Sequence, residues 1–167
     1  MKKFLWLLLC FSSYATAAPD DFAAPIEIEA QQVEVDAQDG TSTYQGDVRL
    51  VRGSMKILAD TMILKQANDQ ISADIRGNEN GPAQFSHTTE TGELMQEKAQ
   101  RIRYFSDKDT IEFDGNAEVK RAADTVSSDH IRYDLRAEQI LAGGDKTDGS
   151  DNRVKIVIQP ANNKNKE

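Results

Sequence analysis

The sequence is poor in cysteine and has no long hydrophobic run. Its 167 residues include one cysteine, Cys10. No apolar stretch approaches the roughly 20 residues that a membrane-spanning helix needs, which excludes a polytopic helical membrane protein. If the segment that carries Cys10 is removed after export, the remaining chain has no thiol. Disulfides, a thiol nucleophile and a cysteine-ligated zinc site are then excluded as well.

Basic residues are scarce relative to acidic ones. The chain has 20 Lys and Arg against 28 Asp and Glu, for a formal charge of −8. A nucleic-acid partner is disfavoured because such binding rests mainly on neutralising phosphates. The hydrophobic fraction of 38 % is low for a globular chain but too high for a disordered one. The length fits one modest domain.

Histidine is rare, and the familiar catalytic motifs are absent. The sequence predicts His87 in a loop rich in serine and threonine and His130 beside a strand. Neither has the convergent partners that metal binding or general-base catalysis needs. Residues 143–152 (GGDKTDGSDN) resemble a calcium loop, but the EF-hand spacing and the closing glutamate are missing, so a flexible turn is favoured. We therefore expect no catalytic residue, no metal site and no cofactor.

The first 17 residues have the pattern of a secretory signal peptide. Lys2 and Lys3 precede a short apolar run at 4–11 (FLWLLLCF), and residues 15–17 (ATA) form a cleavage pattern of small side chains. We expect cleavage after Ala17 and export of the remaining chain.

Cys10 offers an alternative processing point, as the acceptor of a lipid anchor. Lipidation requires small residues just before the cysteine, whereas Leu8 and Leu9 precede it here. A cleaved signal peptide is therefore favoured over a lipoprotein.

Beyond the signal peptide, apolar and polar residues alternate in many short runs. Alternation of period 2 places the apolar side chains on one face of a strand. The apolar positions are Ile26, Ile28, Ala30, Val33, Val35, Tyr44, Val48, Leu50, Met55, Ile57, Ala59, Met62, Leu64, Ile71, Ala73, Ile75, Ile111, Phe113, Ile131, Tyr133, Leu135, Val154, Ile156 and Ile158. Turn signals separate the runs, at Asp39-Gly40, Gly53-Ser54, residues 77–82, Thr91-Gly92, Asp114-Gly115 and residues 143–149. The pattern predicts an all-β fold, as an antiparallel sandwich, jelly roll or stacked β-roll.

Residues 93–105 (ELMQEKAQRIRYF) depart from this pattern because they are rich in helix formers. An internal repeat argues against a helix. A shift of 69 residues aligns Val33 with Ile102, and it pairs identical residues at 30 and 99, 31 and 100, 41 and 110, 46 and 115, 52 and 121, 60 and 129, 70 and 139, 71 and 140, and 73 and 142. A chance self-match is the alternative. A true repeat predicts a strand around Ile102, with each half a β unit that buries its apolar face against the other.

Six apolar and aromatic side chains on alternating positions form the candidate site. They are Ile26, Ile28, Phe85, Tyr104, Phe113 and Tyr133. Alternation alone favours ordinary core packing. The other interpretation is that one edge of the core stays open and is covered by a lipid.

Seven short motifs follow one another between about Pro25 and Pro160. They are residues 25–30 (PIEIEA), 44–48 (YQGDV), 55–60 (MKILAD), 81–85 (GPAQF), 113–117 (FDGNA), 128–133 (SDHIRY) and 153–158 (RVKIVI). In their order and spacing they resemble the motifs of the OstA-like family of periplasmic lipopolysaccharide-transport proteins. The resemblance implies an open V-shaped β-jelly roll of stacked antiparallel strands at residues 26–160, made of two pseudo-repeats of about 69 residues. A short extension (18–25) would precede it, and a disordered tail (161–167) would follow.

The resemblance also implies a function, as a periplasmic bridge that carries lipopolysaccharide from the inner to the outer membrane. The acyl chains of lipid A would lie in an apolar groove lined by Ile26, Ile28, Phe85, Tyr104, Phe113 and Tyr133. The edge strand with Ile26, Ile28 and Ala30 would face an LptC-like inner-membrane partner. The closing strand with Val154, Ile156 and Ile158 would face an LptD-like outer-membrane partner or another copy in a head-to-tail homo-oligomer. Candidates for contact with sugar phosphates are Arg49, Arg52, Lys56, Arg76, Arg101 and Arg103, although solvated strand faces also explain them.

Two other functions share the strand pattern. One is a structural or adaptor β-module that pairs edge strands with envelope proteins and binds no lipid. The other is a carbohydrate-active enzyme, which would need two convergent carboxylates in a cleft. Bound lipid distinguishes the transport protein from the adaptor, and the positions of the carboxylates test the enzyme.

Overall fold

The computed structural model describes residue 21, residues 23–143 and residues 153–160. The predicted signal peptide (1–17), residues 18–20 and 22 of the extension, residues 144–152 of the predicted flexible turn and the tail at 161–167 lie outside the described residues. Every regular secondary-structure element in the described part of the chain is a β-strand, as the alternation predicts.

Twelve strands make one antiparallel sheet across the described residues. They are β1 (Glu27–Glu29), β2 (Gln32–Asp36), β3 (Thr41–Arg52), β4 (Met55–Ala67), β5 (Gln70–Arg76), β6 (Ala83–Thr88), β7 (Leu94–Ala99), β8 (Arg101–Phe105), β9 (Thr110–Arg121), β10 (Asp124–Asp134), β11 (Gln139–Ala142) and β12 (Lys155–Val157). Two of the predicted edge strands are therefore shorter than expected. Ile26 and Ala30 flank β1, and Val154 and Ile158 flank β12.

Four long strands divide the sheet into two layers. One edge of β4 pairs with β6 near its start and with β5 over its second half. In the same way β9 pairs with β8 first and with β7 afterwards. The partners of β3 and β10 change similarly along their length. Each long strand thus contributes one segment to each layer, and the layers close on each other as a β-jelly roll.

The first layer consists of β2, β5, β8 and β11 with the adjoining segments of the long strands. The second layer consists of β1, β6, β7 and β12 with the remaining segments. A bulge lies at the point where the chain leaves one layer for the other. The pairing of β3 with β4 shifts between Gln45 and Val48, and Gly46 there has a φ of 76°. The extra residue bends the strand and increases its twist.

An equivalent bulge in β9, where its pairing with β10 shifts between Ser128 and His130, corrects one expectation from the sequence. Asp114-Gly115 is predicted as a turn between two strands, but it lies inside the continuous strand β9. Gly115 has a φ of 77° and Asn116 a φ of 49°. Positive φ is a property of bulges as well as of turns, so the local signal does not distinguish them.

The structure confirms the 69-residue repeat. The shift converts β3 (Thr41–Arg52) into β9 (Thr110–Arg121) with the same bounds. It also carries β1, β2 and β4 onto β7, β8 and β10. The backbone N–H of Gln31 donates to the carbonyl of Gly46 at 2.9 Å, and Gln100 donates to Gly115 at 3.0 Å. Ile102 accordingly lies in a strand equivalent to that of Val33, so tertiary pairing overrides the local helix propensity.

The prediction that His87 lies in a loop is wrong. It belongs to β6, its side chain points inward, and it is 5 % exposed. Threonine is enriched in strands because its branched side chain fits a pleated surface. Here Ser86 and Thr88 alternate with the inward-facing Phe85 and His87.

Candidate functional site

The register of the strands defines which side chains share the interior of the first layer. Residues directly opposite each other on antiparallel strands point to the same face. One such row crosses all eight strand segments of the layer, and every member is apolar or aromatic. It runs through Val33, Tyr44, Met62, Ile75, Ile102, Phe113, Ile131 and Ala142.

The second layer has a corresponding row with one exception. It runs through Ile28, Leu50, Ile57, Phe85, Glu97, Val119, Val126 and Ile156. Seven of these eight side chains are apolar, and the fifth is a carboxylic acid. The two rows face each other, so the interior is apolar from one edge of the molecule to the other except at Glu97.

Exposure along the rows rises towards both edges. Met62, Ile102 and Phe113 in the middle are fully buried. At the edges, Val33 is 50 % exposed and Ile156 is 60 % exposed. The apolar interior therefore reaches solvent at both ends of the sheet, where no further strand covers it among the described residues.

The two layers are in contact at the centre. The rings of Phe85 and Phe113, one from each layer, lie 6.1 Å apart. His87 Nε2 and the Tyr133 hydroxyl form a hydrogen bond of 3.0 Å across the same space. Beside this contact lies a narrow apolar cleft of about 30 Å³, lined by residues that include Ile26, Leu50, Ile57, Phe85, Tyr104 and Ile111.

The cleft is small compared with a lipid. An apolar cavity of about 150 Å³ holds one benzene molecule. An acyl chain therefore enters this interior only if the layers separate or the side chains rearrange. The Phe85–Phe113 contact and the His87–Tyr133 hydrogen bond both cross this interior.

All six predicted site residues face the interior. Ile26, Phe85 and Tyr104 line the cleft together. Ile28 lies in the row of the second layer and is half-buried. Phe113 and Tyr133 are buried at the centre.

Tyr104 has a polar partner at the rim of the cleft. Arg52 Nη1 donates to the Tyr104 hydroxyl at 3.1 Å, and Arg52 Nε donates to the carbonyl of Ala24 at 3.3 Å. Burial raises the pKa of Tyr104, so its hydroxyl stays protonated at neutral pH. Arg52 thus places a positive charge where the cleft meets solvent.

Sequence reasoning overlooked a buried ionisable pair, Glu97 and His87. Glu97 is 3 % exposed, and neither of its carboxylate oxygens has a hydrogen-bond partner among the described residues. Burial raises the pKa of Glu97 to about 8 and lowers the pKa of His87. Both side chains are therefore predominantly neutral at neutral pH. Met95, Glu97 and Ala99 lie two positions apart and therefore share one face of β7. This spacing was the signal in the sequence that could have indicated the burial of Glu97.

Comparison with known proteins identifies the family. A sequence profile described as "LptA/(LptD N-terminal domain) LPS transport protein" matches residues 27–139, a range that includes β1 and most of both repeats. The chain belongs to this lipopolysaccharide-transport family.

Relatives in the LptA/LptD N-terminal family align over nearly the whole chain. The lipopolysaccharide export system protein LptA of Escherichia coli K12 is 27 % identical over 154 residues, which is 92 % of this chain and 81 % of that protein. LptH of Pseudomonas aeruginosa is 28 % identical over 153 residues, or 89 % of this chain and 87 % of that protein. LptA of Haemophilus influenzae is 24 % identical over 159 residues, which is 95 % of this chain and 90 % of that protein.

A solved family structure shares the fold. The crystal structure of Pseudomonas aeruginosa LptH, described as the LptA-homologous periplasmic component of the lipopolysaccharide transport device, matches with a TM-score of 0.75. The match covers 85 % of this chain and all of that chain, at 27 % identity. The predicted OstA-like β-jelly roll is confirmed.

In this family member, the predicted phosphate-contacting residues lie mostly on the outer faces of the layers. Arg49 pairs with Glu29 at 3.2 Å. Arg76 and Arg101 both pair with Asp74. Although burial opposes the shift, these arginines hold the pKa of Asp74 below its usual value.

Further along the same layer, Arg103 pairs with Glu112 at 2.9 Å and with Asp114 at 2.8 Å. Lys56 is exposed on the outer face of the other layer. Among the six predicted cations, Arg52 is the one that shares the inward side of its strand with Leu50, so it is the best placed to meet a ligand at the cleft.

The remaining histidine has a structural partner. His130 Nδ1 lies 2.7 Å from Asp114 on the outer face. Across the described residues, no cluster of three or more His, Cys, Asp or Glu side chains has the geometry of a metal site. The described part of this family member also has no helix of the length and apolarity that crossing a membrane requires.

Proposed function

We propose that this chain is a non-enzymatic bridge that carries lipopolysaccharide through the periplasm, with the acyl chains of lipid A held between the two layers. The observation that supports it is the pair of inward rows, which keep the interior apolar across eight consecutive strand segments. A catalytic site needs convergent polar groups, whereas a passage for acyl chains needs apolar surface along its whole length.

The energetics favour a continuous interior over a closed pocket. Removing one methylene from water contributes about 0.8 kcal/mol, so exposing a chain of many methylenes during transfer is costly. A lipid that slides along the rows never exposes that area. As the layers separate, acyl chains replace the contact between Phe85 and Phe113, so the interior keeps its apolar packing. Energy for directed movement comes from elsewhere in the assembly.

The repeat suggests how the passage is extended. Inside the chain, the first repeat ends at β5 and β6, and these pair with β8 and β7 at the start of the second repeat. By the same shift, β11 and β12 are equivalent to β5 and β6, and β2 and β1 are equivalent to β8 and β7. A β11–β12 edge therefore fits a β1–β2 edge of another OstA-like domain, by strand addition.

This geometry supports an order of partners. The β1–β2 edge would receive an LptC-like inner-membrane protein, and the β11–β12 edge would meet an LptD-like outer-membrane protein or a second copy of this chain. The expected signal peptide, cleaved after Ala17, would deliver the chain to the periplasm.

Photo-crosslinking to lipopolysaccharide tests the passage. A photoreactive phenylalanine analogue replaces the inward-facing Phe85, Tyr104 or Ile28 in separate variants. The matched control is Gln84, which neighbours Phe85 in β6 but is exposed on the outer face. We expect an adduct with lipopolysaccharide at the inward positions and none at Gln84.

Ile28 makes the test robust, because it is half-buried and accepts a larger ring more readily than Phe85 does. The proposal would be contradicted if none of the variants at Ile28, Phe85 and Tyr104 formed an adduct although their circular dichroism matched that of wild-type protein. That result would favour an adaptor module that pairs strands without binding lipid.

A further inference from the structure

Glu97 interrupts an otherwise apolar row at the centre of the molecule. Its direct neighbours on the two adjoining strands are Phe85 and Val119. Both are buried and apolar. The carboxyl group therefore lies inside the passage proposed for acyl chains, about midway between the two edges.

The carboxyl group is unsatisfied within the protein. Neither Oε1 nor Oε2 has a hydrogen-bond partner among the described residues, and the side chain is 3 % exposed. His87 Nδ1, on the adjoining strand, also has no hydrogen-bond partner in the described part of the chain. A buried polar group without a partner is costly, and two such groups on neighbouring strands are unusual in an apolar interior.

The repeat shows that the fold itself does not require a carboxyl group here. The residue equivalent to Glu97 in the first repeat is Ile28, which occupies the same row at the same register. An isoleucine at 97 would fill the position without an unsatisfied oxygen. The acid is therefore a departure from the repeat that packing does not explain.

The surroundings select the kind of partner. Glu97 lies between Phe85 and Val119 and forms no ion pair with a described residue. Its neutral form is therefore favoured, and burial supports this by raising its pKa. A neutral carboxyl group both donates and accepts a hydrogen bond. A hydroxyl group does the same, and an alkyl chain on either side of it fits Phe85 and Val119.

We propose that Glu97, assisted by His87, is a polar binding point inside the passage that hydrogen-bonds a hydroxyl group carried on an acyl chain. This inference rests on the proposed lipid passage. It adds a specificity determinant to that passage, because a chain with a hydroxyl group would be held more tightly at this point than a plain chain of equal length.

Two neutral probes that differ by one oxygen test the proposal. Methyl 3-hydroxytetradecanoate and methyl tetradecanoate compete separately with the apolar fluorophore N-phenyl-1-naphthylamine for the mature chain. One added hydrogen bond corresponds to about fivefold tighter binding of the hydroxylated ester. The variant Glu97→Gln keeps a donor and an acceptor, and we expect it to retain this preference. Glu97→Ile copies the first repeat, and we expect it to lose the preference for the hydroxylated ester, because the hydroxyl group then has no partner.

The outcomes separate this inference from the proposed function. Wild-type protein that binds both esters with equal affinity overturns the role of Glu97 but leaves the passage intact. A hydroxyl preference that survives in Glu97→Ile, with thermal unfolding showing that the variant is folded, also overturns it. Failure of both esters to displace the fluorophore from wild-type protein contradicts the passage itself.

Discussion

At the scale of single residues, burial keeps two ionisable side chains neutral at the centre of this protein. Burial shifts the pKa values of Glu97 and His87 in opposite directions. Burial raises the pKa of Glu97 from 4.5 to about 8, whereas it lowers that of His87 from its usual 6.5. Between pH 4.5 and 8 the folded state therefore holds the Glu97 proton and the unfolded state releases it.

The first prediction concerns the pH dependence of stability. Because the unfolded state binds fewer protons at Glu97, its contribution to the free energy of unfolding declines as pH rises from about 4.5 to about 8. The slope is at most about 1.4 kcal/mol per pH unit. Urea unfolding of wild-type protein and Glu97→Gln at several pH values measures it.

Glu97→Gln has no proton to lose, and it keeps His87, so the difference between the two proteins isolates Glu97. We expect wild-type protein to lose stability relative to the variant between pH 5 and 8. Parallel stability curves over that range would show that the carboxyl group is ionised in the folded state.

At the scale of the elements, paired bulges turn each repeat from one layer into the other. A Cβ added at Gly115 would lie 2.6 Å from Gln100 Oε1, and one at Gly46 would lie 2.6 Å from Gln31 Oε1. Both glycines have positive φ. The two repeats thus solve the same bending problem with the same pair of residues, a glycine and a glutamine 15 positions before it.

The second prediction is that Gly115→Ala destabilises the fold. A side chain at this φ costs about 1–2 kcal/mol, and the close approach to Gln100 adds to it. Gly81→Ala is the matched control, because a Cβ there meets nothing within 4 Å and its φ is not positive. Chemical denaturation should show a loss for Gly115→Ala and little change for Gly81→Ala. Equal effects would mean that the bulge is not under steric constraint.

At the scale of the whole molecule, the repeat leaves two unlike edges with apolar inward faces. Val33 and Val35 are exposed at the β1–β2 edge, and Ile156 is exposed at the β11–β12 edge. Exposed edge strands pair with other chains unless charge or a covering segment prevents it. If the edges pair as proposed, association would proceed in one direction, because the repeat relates each edge to the partner of the other and not to itself.

The third prediction concerns this association. Light scattering of wild-type protein should show an apparent mass that rises with concentration. Ile156→Asp places a charge on the inward face of β12, and we expect it to remain monomeric because pairing would bury that charge.

Leu58→Asp is the control for added charge. Leu58 lies on the outer face of β4, opposite Arg49, and away from both edges. The Leu58→Asp variant should associate as wild-type protein does. A wild-type protein that stays monomeric at every concentration would contradict self-association, while pairing with LptC-like or LptD-like partners would still need its own measurement.

The sequence by itself determined which faces of the strands are apolar, and the 69-residue shift predicted a strand rather than a helix around Ile102. Both follow from periodicity, because alternation fixes the face of each side chain without reference to its neighbours. Only the tertiary structure decided that His87 and Glu97 are buried, that Gly115 bends a strand instead of ending it, and that Phe85 meets Phe113 across a narrow cleft. Those features depend on which strands pair and how closely two layers approach, and no local pattern of residues encodes that distance.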